Sequence, residues 1–242
     1  MSDNTRKGAC RSASAFLAHS IPHSESATAL AFRRDLIPHI KSCRAHKIEA
    51  LPNCYSVHEL ISFELAYHEN GFSNEAEELQ VQLLELTQTV LGTEHPRTLI
   101  SMNDLSLTYE NQGRYKEAEE LQVQALGLSQ TVLGVQHRGT LTIMNNLALT
   151  YKTQGRHKEA EELEVRVLKL RETVFGMEHP STLTSMHNLA FTYRSQARLK
   201  EAIEMMQKVV VLRTKVLGFH HPNTVRSAQA LDDWTAPIGG VN

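Results

Sequence analysis

"IMNNLALTYKTQGRHKEAEELEVRVLKLRETVFG", residues 143–176, decides the fold, because the chain repeats it on both sides. "SMNDLSLTYENQGRYKEAEELQVQALGLSQTVLG" (101–134) lies 42 residues before it, and "SMHNLAFTYRSQARLKEAIEMMQKVVVLRTKVLG" (185–218) lies 42 residues after it. One period further upstream, "SFELAYHENGFSNEAEELQVQLLELTQTVLG" (62–92) matches closely in its second half and loosely in its first. A short motif joins the copies: "EHPRTL" (94–99), "QHRGTL" (136–141), "EHPSTL" (178–183) and "HHPNTV" (220–225). A fixed period of this length is the mark of a repeat architecture.

Each period carries two helical signals. In the first half Leu105 and Tyr109, Leu147 and Tyr151, and Leu189 and Tyr193 recur at i, i+4, which places them on one helical stripe. A small residue stands beside each leucine: Ser106, Ala148, Ala190. Gly113 and Gly155 are expected to close this helix in the left-handed conformation, with Ala197 in their place in the last copy. The second half opens with acids, as in "KEAEEL", which suits a helix N-terminus. It stops at Gly92, Gly134, Gly176 and Gly218. Ala76, Ala118, Ala160 and Ala202 sit where the second helix crosses the first, so that backbones approach closely.

A single pair of such helices cannot bury its apolar stripe, whereas stacked pairs share a continuous core. The expected fold is therefore all-α: an α-solenoid of four helix-turn-helix repeats at about 56–97, 98–139, 140–181 and 182–223, closed by a capping helix at 224–234. Asp232 stands where Ala190 stood, so a further pair cannot pack in the same way, and Trp234 is expected to fold back on the end. The solenoid spans 53–236 and a short tail 235–242. Residues 1–52 read as a separate linker with one helix at about 26–48, kinked near Pro38 and placed to cover the first hairpin, and with little order before about residue 12.

The recurring histidines, His95, His137, His179 and His221, raise the question of a metal. Residues one period apart are separated by roughly 20 Å along a stack of helices about 10 Å in diameter. Metal ligands must converge to about 2 Å from one ion. The motif is therefore read as a hinge. Pro96, Pro180 and Pro222 occupy the first helical position, where the missing N–H costs nothing. Arg138 replaces proline in the second copy, and Thr98, Thr140, Thr182 and Thr224 follow in the first turn.

The bulk numbers exclude several functions. With 25 Lys+Arg against 27 Asp+Glu there is no basic footprint for nucleic acid. The charge is uneven: residues 1–52 hold eight basic and four acidic side chains, and the remainder 17 and 23. No apolar run approaches the roughly 20 residues of a membrane span. The start of the chain lacks the apolar core of a signal peptide. Cys10, Cys43 and Cys54 form no CxxC and are odd in number, which points to a reducing, cytoplasmic setting and away from disulfides or a zinc knuckle. No phosphate loop and no nucleophile elbow occur. Cys54 and His58 stand at i, i+4, but a structural pair is the expected reading. The chain is expected to be no enzyme and to need no cofactor or metal.

The pattern "NNLALTY…QGRHKEAEELEV…LG.EHPSTLTSMHNLAFTY" resembles the tetratricopeptide repeat, whose solenoids are right-handed. It is similar to the 42-residue variety of kinesin light chains and of the repeat tails of fungal NOD-like receptors, the NACHT or NB-ARC ATPase proteins. "EAEELQVQ" and "STLTSMHNLAFTYRSQ" lean to the receptor type, and "AFLAHSIP…ALAFRRDLIPHIKSC" looks like the linker that joins ATPase to repeats there. This sequence holds no phosphate loop of such an ATPase, and no heptad run precedes the repeats as in a true kinesin light chain, so the chain reads as a repeat module with a short linker, either free-standing or cut from a larger receptor.

The resemblance implies a scaffold that binds a protein or peptide in a groove lined by the first helices. It places the groove positions at Asn103, Asn145 and His187; Asp104, Asn146 and Asn188; Leu107, Leu149 and Phe191; Glu110, Lys152 and Arg194; and Asn111, Thr153 and Ser195. The chemistry is apt on its own terms. An asparagine both donates and accepts, so a ladder of them can hold an extended backbone. Leu107, Leu149 and Phe191 are expected to form apolar pockets between the rungs. Lys152 and Arg194 make one end basic and Glu110 the other acidic, so a ligand with an acidic residue near the third and fourth repeats is expected. Two alternatives stand beside this reading: a sensor or oligomerisation fragment of a receptor, which includes self-association through an unpaired helix face, and a cargo adaptor of the kinesin-light-chain type. On the second helices, Glu162 with Arg166 and Lys169 with Glu172 or Thr173 read as weak surface pairs. Met205, Met206 and Val209 to Val211 read as core and end-packing.

Overall fold

The computed structural model describes Ala18, Ile21, residues 26–50 and residues 57–236. Every regular element among them is a helix. The chain divides into two compact units, Met1–Asn111 and Gln112–Asn242. The expectation of little order before residue 12, Cys10, Cys54 with its proposed contact to His58, and most of the 235–242 tail lie outside the described residues.

The first unit contains α1 (Ala27–Ala50), α2 (Val57–Glu69), α3 (Ser73–Leu91) and α4 (Pro96–Asn111). Ser26 starts α1 by accepting the Ala29 N–H at 3.2 Å. The helix runs through Pro38, slightly longer than the 26–48 expected. It lies against α2 and covers the first hairpin, as its position in the sequence suggested. Ile37 and Ile40 join Leu60, Phe63, Tyr67, Leu79 and Leu83 in one core. Arg33 is fully buried there and forks onto the Glu69 carboxylate, with Nη2 2.9 Å from Oε1. A buried guanidinium is tolerated because the bidentate partner compensates its lost hydration.

The second unit contains α5 (Tyr115–Val132), α6 (Arg138–Thr153), α7 (His157–Phe175), α8 (Pro180–Ser195), α9 (Leu199–Leu217) and the cap α10 (Pro222–Thr235). Each helix packs on the next in the chain. Ala118, Ala160 and Ala202 on the second helices, and Ala148 and Ala190 on the first, are wholly buried. Leu168, Leu183, Met186, Leu189, Met206 and Val209 make the core of the last pairs, while Val211, expected inside, is exposed. The period of 3.6 puts Val211 two residues beyond Val209 and so on the opposite side of the helix.

The structure assigns the hinge motif a task for each residue. In all four copies the histidine is the N-cap. His95, His137, His179 and His221 each accept, at Nδ1, the N–H two residues on, and every distance is 3.1 Å. The threonine ties the hinge to the helix before it: Thr98, Thr140 and Thr182 donate to the carbonyls of Gly92, Gly134 and Gly176 at 2.7, 2.8 and 2.8 Å. Four histidines used as caps cannot also meet at one ion. The turn within each repeat is closed by a left-handed residue. Gly113 and Gly155 hold φ 76 and 78, and Ala197 holds φ 61 in the same place.

The expected Glu162–Arg166 pair does not form among the described residues; two arginines instead link consecutive repeats. Arg156 bonds both Glu159 and, one repeat earlier, Glu119, at 2.5 and 2.7 Å. Arg198 repeats this with Glu201 and Glu161 at 2.6 and 2.7 Å. Each guanidinium also lies 4.1 Å over a tyrosine ring, Tyr151 or Tyr193. Gln154 and Gln196 complete the rung by donating to Glu119 and Glu161 at 2.9 Å. Burial pushes the Glu119 carboxyl up, but the bonds from Arg156 and Gln154 outweigh it and hold it below the usual range.

Two substitutions test these turns. His179→Ala removes a cap and is expected to cost about 1 kcal/mol in chemical denaturation, while His179→Asp, which keeps an acceptor at the helix start, stays near wild type. Ala197→Gly relieves a left-handed L-residue worth roughly 1–2 kcal/mol and reclaims part of that as backbone entropy, so a net gain of up to about 1 kcal/mol is expected.

Candidate functional site

In the second unit the candidate face is built by α6 and α8. Asn145, Leu149 and Lys152 follow at i, i+4 and i+7, and Asn188, Phe191 and Arg194 at i, i+3 and i+6, so each set occupies one stripe of its helix. The stripes meet: Asn188 donates from Nδ2 to Asn145 Oδ1 at 3.3 Å. Both amides are half-buried, and Asn145 keeps its own amide hydrogens for a further acceptor. Asn146 lies half-buried beside them. Leu149 and Phe191 are 41% and 37% exposed. Leu149 stands open to solvent, and Phe191 packs beside the His187 ring, 4.9 Å between centroids. Thr153 and Ser195 turn their hydroxyls back to the carbonyls of Thr150 and Thr192, both at 2.8 Å.

The basic end is more occupied than its sequence suggested. Lys152 Nζ lies 3.8 Å from the buried carboxylate of Glu164. Burial raises the Glu164 carboxyl, while a Thr192 hydrogen bond and Lys152 offset part of the rise. Arg194 remains exposed, with its guanidinium 5.9 Å from the Trp234 ring. That ring does fold back, and packs edge-on to Phe191 at 5.0 Å.

His187 was expected to line the groove, and the structure corrects this: only 9% of it is exposed, because α10 covers it. Its Nδ1 lies 3.0 Å from Ser227 Oγ and 3.5 Å from Arg213 Nη1. A guanidinium has only donors, so Nδ1 faces it as an acceptor and the ring is neutral. Arg213 is itself buried and donates to Ser227 Oγ at 2.6 Å and to the Asn223 carbonyl at 2.9 Å. Sequence reading missed this network. Its one signal was the change at that position, one period apart, from Ser129 to Arg171 and Arg213.

In the first unit α4 carries Asn103, Asp104, Leu107, Glu110 and Asn111. Asn103 donates to Asp104 Oδ1 at 3.5 Å. Leu107 and Glu110 are half-buried and Asn111 is exposed. Asp104 reaches solvent, yet enough protein surrounds its carboxyl for burial to raise it, against the opposing effects of Asn103 and Arg97.

Two tetratricopeptide repeat profiles match residues 65–130, 107–173 and 182–223, together more than half of the chain. The chain belongs to the tetratricopeptide repeat family. A Podosopora anserina protein with nearly identical TPR-like repeats, described as a kinesin light chain, is 25% identical, with a TM-score of 0.66 over 89% of this chain and 98% of that one. BtubC (BKLC) from P. vanneervenii is 19% identical, with a TM-score of 0.67 over 93% and 83%. A Rap protein complexed with Competence and Sporulation Factor is 13% identical, with a TM-score of 0.54 over 85% and 60%. No curated protein matches the chain. The repeats of this tetratricopeptide protein form the fold of a protein-interaction scaffold. Among its described residues no helix is long and apolar enough to cross a membrane, and no group of three or more His, Cys, Asp or Glu is arranged to hold a metal.

Burial first, then the charges of Arg213, Arg226 and Lys152, lower the His187 pKa to about 4. Below about pH 6.5 the unfolded chain takes up a proton that the folded one refuses, so stability is full above 6.5 and falls until about pH 4. The shift corresponds to roughly 3 kcal/mol. Melting of wild type and His187→Gln between pH 7 and 4 should show wild type losing more stability than the variant by an amount of this order.

Proposed function

We propose that the face built by α6 and α8 binds an extended peptide or a segment of a partner protein, and that the chain is a cytoplasmic interaction scaffold, not an enzyme. The observation that carries this is the Asn188–Asn145 amide pair with exposed Leu149 and Phe191 beside it. Two amides with spare hydrogen-bonding capacity next to protruding apolar groups can satisfy a backbone and cover side chains at once. Arg194 is the free charge of this face, so the preferred ligand carries an acidic residue there. Lys152 contributes less, since Glu164 neutralises part of it. Asn103, Asp104, Leu107 and Glu110 on α4 are the corresponding positions of the first unit. The Rap neighbour shares the fold alone, so the reading rests on these residues.

A second reading is the repeat module of a NOD-like receptor. The change in charge after residue 52 and the sealing of the first hairpin by α1 favour it.

Peptide display against the full chain, followed by fluorescence anisotropy of the selected peptides, tests the face. Asn145→Ala with Asn188→Ala should weaken binding by about tenfold or more, the worth of one or two hydrogen bonds in a desolvated contact, with little change in Tm. Arg194→Glu should weaken acidic peptides selectively. Selected peptides that bind both variants as they bind wild type would sink the proposal.

A further inference from the structure

The period breaks in the first hairpin. Glu64 stands where Ser106, Ala148 and Ala190 stand, and Gln80 where Gln122 and Glu164 stand. In the later copies this second-helix residue receives a threonine hydroxyl: Thr150 donates to Gln122 Oε1 at 2.7 Å, and Thr192 bonds Glu164. Thr108, the equivalent residue, instead turns its hydroxyl to the Asp104 carbonyl at 3.4 Å. Gln80 donates from Nε2 to Glu64 Oε1 at 2.9 Å. Its Oε1 is left without a partner although Gln80 is only 5% exposed. The orientation of the amide is dictated by chemistry. An ionised carboxylate only accepts, so a flipped amide would set two acceptors against each other.

Gln80 lines a cavity of about 100 Å³ between α2, α3 and α4. Glu64 and Asp104 add two carboxylates to its wall, and Ile61, Leu83 and Ile100 make the rest apolar. Arg97 is the one cation of the lining; it is exposed and forms no ion pair within 4 Å of Asp104. Ser101 is turned away, donating to the Arg97 carbonyl at 3.2 Å. Burial raises the carboxyls of both Glu64 and Asp104; at Glu64 the Gln80 hydrogen bond and then His68 offset part of the rise, and the charges of Asp104 and Glu69 add lesser contributions to it. Gln80 and Asn103 each give one hydrogen bond to these carboxylates, which leaves the Gln80 carbonyl and the remaining carboxylate lone pairs open, with two carboxylates against one cation, inside an apolar sleeve. An ammonium has three donors on a compact head, and its alkyl stem suits the isoleucine and leucine walls. A divalent cation would want six or more oxygens, more than three side chains in this cavity provide.

We propose that this cavity binds a primary alkylammonium, as a lysine side chain of a bound peptide or as a free alkylamine, through Glu64, Asp104 and the unpartnered carbonyl of Gln80. The site lies wholly within the first unit and owes nothing to the α6–α8 face, so variants of Asn145 and Asn188 leave it unchanged.

The test is a methyl NMR titration of the full chain labelled at isoleucine, with n-butylammonium, acetyl-Ala-Lys-Ala-amide and its norleucine analogue as probes. Saturable shifts of the Ile61 and Ile100 methyls are expected with butylammonium, weakened about tenfold or more by Glu64→Gln or Asp104→Asn, and none with norleucine. A lysine peptide that binds at least as tightly as butylammonium assigns the site to peptide lysines; much weaker peptide binding assigns it to free amines. Absence of saturation at millimolar amine, equal shifts with norleucine, or wild-type affinity in Glu64→Gln overturns the proposal. Glu64→Gln serves as its own folding control. A carboxyl held above its usual range costs stability as pH rises through its folded value, so this variant should melt at or above wild type at pH 7 and alike near pH 4.

Discussion

Close approach of backbones at the alanine crossings is the constraint on which the rest depends. Ala76, Ala118, Ala160 and Ala202 are buried to 1% or less. No larger side chain fits there without parting the helices, and overpacked cores are costly. With the helices drawn together, Leu105, Leu147 and Leu189 lose their water, and each pair still shows an apolar stripe on its other side. That stripe must meet a neighbour. Repetition of the sequence is therefore a condition of stability, since each repeat is a core only in company.

The hinges hold the neighbours in register. Glycine ends one helix, threonine returns a hydroxyl to that glycine's carbonyl in the first three hinges, and histidine caps the next helix from Nδ1 in all four. Together they satisfy donors and acceptors that every helix end leaves open. The arginine rungs at 156 and 198 add a link between successive repeats, each guanidinium shared between two carboxylates and stacked on a tyrosine. Such bonds are exposed and contribute modestly one by one. Their value lies in geometry, because a planar fork tolerates little rotation of one repeat against the next.

Departures from the repeat are where ligands become conceivable. A scaffold copies its packing residues faithfully and varies those it exposes. Asn145 and Asn188 meet on a face that packing leaves open. Glu64 departs at a place where the other copies are small and takes up the Gln80 amide, and the result is a cavity with acceptors to spare. At the far end, Phe191 and Trp234 pack together and α10 closes over His187, so the last copy gives up part of its face to seal the stack.

The helices, their boundaries at glycine and at His-Pro, the crossing alanines and the capping helix were legible in the sequence, because all depend on spacing along one chain and a period of 42 repeats the signal. Asn145, Asn188 and Arg194 could be placed on one face of their helices for the same reason. The histidine caps, the arginine rungs, the burial of His187 and the pairing of Gln80 with Glu64 were not. Each depends on which side chain a neighbouring helix brings within about 3 Å, a distance set by packing in three dimensions. Periodicity states which face a residue occupies; only the tertiary structure decides what that face meets.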